Sequence, residues 1–98
     1  MAAAASEAGL DMRYERLDLT DPASIDGFAK AALSIAGGRI HGLVTGAGWD
    51  KVEPFLQNAP ALWEKVVTIN LTGPVRLTHL LTANMVEANA GKIVNVSS

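Results

Sequence analysis

The chain has no cysteine among its 98 residues, which excludes disulfide frameworks, thiolate metal sites and cysteine nucleophiles. Redox chemistry, if the chain has any, must come from a bound cofactor. No apolar run approaches the roughly 18 residues that a membrane-crossing helix needs, and "MAAAASEAGLDM" has neither the basic start nor the apolar stretch of a secretory signal. These absences predict a cytoplasmic protein with no membrane contact. A surplus of one charge is missing too: eight basic residues face ten acidic ones, scattered along the chain. No basic stripe is left for nucleic acid, and no metal site is expected.

What is present is an apolar share of 49% and no long polar tract, which predicts one compact unit over residues 1–98 rather than a disordered tail. A chain of this size buries only about two-thirds of its unfolded surface, so each layer matters to its stability.

Residues 1–9 are rich in helix formers and end in Gly9, which reads as a helix tail or a frayed end. "MRYERLDL", residues 12–19, has apolar residues at Met12, Tyr14, Leu17 and Leu19 and predicts a strand. Asp21 then stands where a helix N-cap belongs, with Pro22 at the first turn, where a missing N–H costs nothing. Ile25, Phe28, Ala29, Ala32, Leu33 and Ala36 make one apolar face, so residues 22–36 should be helical, ending at Gly37-Gly38.

"RIHGLVTGAG" predicts a second strand, apolar enough to be buried on both faces of a parallel sheet. A loop over residues 49–58 leads to a long helix with Pro60 at its start, Gly91 just past its end and a break near Gly73-Pro74. "KIVNVSS", residues 92–98, is β-branched and alternating, and predicts a third strand. Strand, helix, strand, helix, strand is the βαβαβ order of an α/β fold with three parallel strands.

The turn at Thr45-Gly46-Ala47-Gly48 imitates a phosphate loop, yet its spacing fails. A dinucleotide loop needs G-x-G-x-x-G running straight into a helix, and here the third glycine position is Lys51 and Pro54 intervenes. It reads as a glycine turn closing a strand. Asn70 is the other anomaly, since it falls on the stripe of Trp63, Val66, Val67, Pro74, Leu77 and Leu81. An amide on a buried stripe must be paired or face a site. Four residues on, Pro74 has no N–H to give the Asn70 carbonyl, and its ring bends the helix.

Taken in order, "LDLTD", "LVTGAG", "W-x-x-x-x-x-I-N-L-T-G" and "G-K-I-V-N-V-S-S" resemble the central part of the short-chain dehydrogenase/reductase family. The resemblance covers essentially the whole chain. It implies a partial Rossmann domain, a doubly wound parallel sheet that binds NAD or NADP, with hydride transfer between the nicotinamide and a small alcohol or ketone. A homo-oligomer is compatible with it. Residue by residue, it implies that Asp18 receives the adenine amino group with Leu19 beside the ring, and that Ala47 and Gly48 line the adenine ribose. It also implies that the Asn70 carbonyl holds a water in a proton relay and that Ser98 hydrogen-bonds the reacting oxygen. "AGWD" is similar to members acting on cyclic hydroxyacyl-CoA thioesters, which would set Trp49 near nicotinamide and substrate; an aromatic side chain covering the loop is the alternative.

The chain departs from the family pattern where Thr45 and Gly46 replace the two asparagines of N-N-A-G. Thr45 can supply part of the strand-bracing hydrogen bonding, and Gly46 none. The family's T-G-x-x-x-G-x-G loop and its Y-x-x-x-K pair are not found among these residues; their expected places are before Met1 and after Ser98. Without that tyrosine and its lysine nothing supplies the proton, so the expectation is a segment that is not a competent dehydrogenase alone. The competing reading is a noncatalytic α/β binding or interaction module.

Overall fold

The computed structural model describes residues 12–97, so the expected helix over residues 1–9 and the candidate serine Ser98 lie outside the described residues. Helix α1, Pro22–Ile35, begins as its sequence requires. The Asp21 carboxylate accepts the Ala23 N–H at 3.0 Å, and Pro22 occupies the first helical turn. It ends in a Schellman turn: the Gly38 and Gly37 N–H groups donate to the Leu33 and Ser34 carbonyls. Both glycines have positive φ, 71° and 88°, which a side chain would strain.

Strand β1, Gly42–Thr45, runs parallel to strand β2, Lys92–Asn95. The register pairs Gly42 with Lys92 and Thr45 with Asn95. The strand expected over residues 12–19 is not formed, so two parallel strands are found among the described residues rather than three. The cause is the lack of a neighbour, because β1 and β2 pair with each other and no ladder reaches the earlier segment. Instead Leu17 and Leu19 pack on the helical core, and the segment closes in a turn with the Asp21 N–H donating to the Asp18 carbonyl.

The long helix is three pieces: α2, Pro60–Val67; a π-helical turn, Thr68–Thr72; and α3, Gly73–Glu87. The break sits where Pro74 cannot donate to Asn70, and the Gly73 N–H reaches back five residues to the Thr68 carbonyl. At the far end of α3 the left-handed residue is Asn89 (φ 54°), and Gly91 lies just past the end as expected. Asparagine tolerates that conformation, and the Ala90 N–H donates to Met85 in the same Schellman pattern.

The core lies between α1 and α3. Ile25 and Ala29 meet Leu77 and Leu81, with Ile40 and Leu43 of the β1 arm packed beneath. The expectation that β1 is buried on both faces is corrected, since Val44 is 69% exposed and only the Leu43 side meets the helices. Asn84 of α3 ties the fold together: its Nδ2 donates to the Gly38 carbonyl and its Oδ1 accepts the Ile40 N–H, both at 2.8 Å. Asp26 of α1 and Arg76 of α3 add a two-pronged pair at 2.9 Å on each contact.

Candidate functional site

Two parallel strands point their C-terminal ends the same way, and a groove of about 900 Å³ opens there against the π turn and α3. Its lining brings together four of the candidate cofactor, substrate and catalytic residues: Ala47, Gly48, Trp49 and Asn70. Ser97 lines it as well, while Ser98 is outside the described residues. Asp18 and Leu19 do not line it. They stand at the end of the 12–19 segment, where the Leu19 carbonyl abuts Gly73.

Asn70 is exposed rather than buried, which corrects the expected stripe, yet its side chain is fully engaged. Nδ2 donates to the Trp49 carbonyl at 2.7 Å and to the Val66 carbonyl at 2.8 Å, and Oδ1 accepts the Trp49 N–H at 3.3 Å. The amide therefore clips the turn after β1 to the helix. Gly48 lies inside this clip, for a Cβ there would come 3.2 Å from Asn70 Oδ1. A Cβ at Gly46 would meet nothing within 4 Å, so space lies beside it at the strand end.

The replaced asparagines have a partial substitute. Thr45 Oγ1 donates to Asn95 Oδ1 at 2.6 Å, across the last pair of the strand register. Thr45 thus braces the two strand ends, as its hydroxyl allows, and Gly46 contributes no side chain. Asn95 and Lys65 are residues that pattern reading passed over. Lys65 Nζ sits 4.0 Å above the Trp49 ring, a cation–π distance. Only the spacing of Lys65 five residues before Asn70 could have hinted at it.

Farther along the loop, Phe55 stacks on Trp63 at 6.0 Å between ring centres. Asn58 joins them by accepting from Trp63 Nε1 at 3.3 Å and donating to Glu53 at 2.8 Å. The loop is therefore organised by its own side chains.

Asp18 is an ionised acceptor. The Thr20 hydroxyl donates to its Oδ1 at 2.6 Å and the Thr20 N–H at 2.9 Å, and these bonds, with help from the nearby charges of Arg16 and Lys65, hold its carboxyl below the usual carboxylate range. Among the described residues no cluster of histidine and acidic side chains could hold a metal ion, and no helix is long and apolar enough to cross a membrane.

A groove at the carboxyl ends of parallel strands, with a glycine turn on its rim, is the binding position of open α/β folds of Rossmann type. The chain belongs to the short-chain dehydrogenase family, whose model matches residues 1–98. It is 29% identical over 92 residues to an uncharacterized oxidoreductase of Thermotoga maritima, a match covering 94% of this chain and 36% of that one. It is 37% identical over 76 residues to an acetoacetyl-CoA reductase of Shinella zoogloeoides, covering 78% and 31%. Among solved structures, a metagenomic short-chain oxidoreductase in complex with NADP superposes with a TM-score of 0.91 at 31% identity, covering 98% of this chain and 43% of that one. The chain thus spans about a third of the length of the curated relatives it matches.

Proposed function

We propose that this chain is a single partial NAD(P)-binding domain, the segment of a cytoplasmic short-chain oxidoreductase that carries the adenosine edge and part of the nicotinamide and substrate wall. The observation that carries this reading is the Asn70 clip, which fixes a bare glycine turn beside the groove at the strand ends. The residues present fit part of a dinucleotide. The ionised Asp18 suits an amino-group donor such as adenine, with Leu19 beside the ring, and Ala47 and Gly48 leave room for a ribose against backbone. Nothing among the described residues resembles a pyrophosphate cradle, so the fit is to the adenosine part alone.

When bound, the nicotinamide supplies the hydride acceptor or donor. This chain's own residues orient and polarise. The Asn70 carbonyl, which Pro74 cannot engage through an N–H, is the acceptor for a relay water, and Ser98 is the hydroxyl that would hold the reacting oxygen. Trp49 forms a wall toward the substrate. The "AGWD" stretch and the identity to an acyl-CoA reductase support a hydroxyacyl-CoA thioester as that substrate. The scattered charges give no face for nucleic acid, and self-association is compatible with the open strand edges.

Saturation-transfer NMR with NADPH tests the reading on the chain itself. Saturation of the adenine protons, lost in Asp18→Ala and weakened in Asn70→Ala, is expected. Absence of any transfer would leave a noncatalytic module as the better account. The pure chain is expected to show no NADPH-dependent reduction of acetoacetyl-CoA, because no tyrosine and lysine pair completes the proton path.

A further inference from the structure

The Asn70 clip holds the backbone of Trp49 but leaves its ring free to turn about two side-chain bonds. Both of the clip's bonds to residue 49 are to main-chain atoms, one to the N–H and one to the carbonyl. An aromatic residue in a loop can otherwise settle in several rotamers. The ring itself is met by Lys65, whose ammonium lies 4.0 Å from the ring centre.

Two features mark this contact as more than a surface coincidence. Among the described residues Lys65 forms no ion pair, whereas Lys51, on the same loop as Trp49, is paired with Glu53 at 3.5 Å. Lys65 has the ring as its close partner and a weaker, longer-range influence on the Asp18 carboxylate. Moreover, Trp49 and Val66 line the groove and Lys65 is not among its lining residues. Lys65 and Asn70 lie on one helical run, α2 continued by the π turn, and grip the same residue by ring and by backbone.

We propose that Lys65 is a positioning residue: by capping the indole of Trp49 it holds that ring as a fixed wall of the groove, against which a planar group of the ligand can stack. The proposal rests on the reading of the groove as a ligand site for its use, but not for its geometry. It differs from a direct role, since Lys65 is not among the residues lining the groove.

The test uses the full chain carrying Trp63→Phe, so that Trp49 is the sole tryptophan, and reads acrylamide quenching of its fluorescence. Lys65→Met is expected to raise the quenching constant about two- to fivefold, the weight of one exposed cation–π contact, while Lys65→Arg keeps it near the parent value. Lys51→Met, whose charge faces a carboxylate, should leave it unchanged. Equal quenching in Lys65→Met and the parent overturns the proposal, as does a Lys65→Arg chain that behaves like Lys65→Met. Loss of the far-ultraviolet helical signal in Lys65→Met also counts against it, because that would assign Lys65 to the fold rather than to the ring. If Trp63→Phe itself disturbs the chain, the ¹⁹F resonance of 5-fluorotryptophan at position 49 gives the same comparison with Trp63 retained. An ordered Trp49 in a chain that ignores NADPH would remove the functional reading alone; a mobile Trp49 in a chain that binds NADPH would remove this one alone.

Discussion

The Leu19 carbonyl oxygen lies so close to Gly73 that a Cβ on that glycine would stand 2.6 Å from it, with the Thr68 carbonyl at 2.8 Å. Both obstacles are backbone atoms and cannot swing aside. Gly73→Ala is therefore expected to lower stability by about 1–3 kcal/mol, the usual cost of forcing extra volume into a packed contact. Urea unfolding checks it. An unchanged midpoint would mean that the 12–19 segment does not dock at the kink.

Asn84 satisfies one backbone acceptor and one backbone donor of the turn that leads into β1. Removing it leaves the part-buried Ile40 N–H without its partner, which typically costs about 1–3 kcal/mol. Asn84→Ala should lower the thermal midpoint accordingly. Amide exchange at Ile40 should accelerate more than exchange within α1, and uniform acceleration would argue against a local clip.

Acid should weaken the fold through two carboxylates. Hydrogen bonding to the Arg76 guanidinium, chiefly, holds Asp26 below its ordinary value, and the Thr20 bonds do the same for Asp18. Depressed values mean that the folded state binds fewer protons than the unfolded one. The stability they contribute is present above the ordinary carboxylate value of about 3.9 and is lost as pH falls through the lower folded values. Carboxyl-carbon NMR titration should show Asp26 moving up in Arg76→Gln and Asp18 moving up in Thr20→Val. A titration of Asp26 unaffected by Arg76→Gln would contradict the pairing.

Thr45 and Asn95 should be coupled across the strand ends. An exposed neutral hydrogen bond contributes roughly 0.5–1.5 kcal/mol, and this one belongs near the lower figure. In a cycle of Thr45→Val and Asn95→Ala the double variant should lose less than the sum of the singles. Strict additivity would show that the two side chains stand near each other without supporting the strands.

Local signals in the sequence identified the elements whose causes are local. Asp21 and Pro22 set the start of α1 and Gly37-Gly38 its end, as the structure has them. The glycine turn at 46–48 and the polar Asn70 also emerged from pattern alone and do meet at one groove. What failed depended on partners distant in the chain. The 12–19 segment has strand-like alternation, but alternation makes no ladder without a neighbour. The break expected near Gly73-Pro74 is present, but the stripe drawn through it from Trp63 to Leu81 is not one buried face, since Trp63 is 46% exposed and Leu81 2%. No periodicity announces a π turn, because it is set by Pro74 and by the Leu19 backbone pressing on Gly73.

That turn has a wider consequence, for it behaves as a one-residue insertion between two helices. Each residue of an α-helix advances the surface by about 100°, so one extra residue rotates α2 well out of phase with α3. In the buried row of α3, Gly73, Leu77, Leu81 and Met85, the two leucines meet Ile25 and Ala29 of α1, while α2 sets Lys65 against the loop instead. The groove is lined from both sides of the turn, by Val66 of α2 and by Pro74, Val75, Thr78 and His79 of α3, so α3 serves the core with one face and the groove with another. A substitution at a groove-facing position such as His79 need not touch the Leu77 and Leu81 seam that packs on α1.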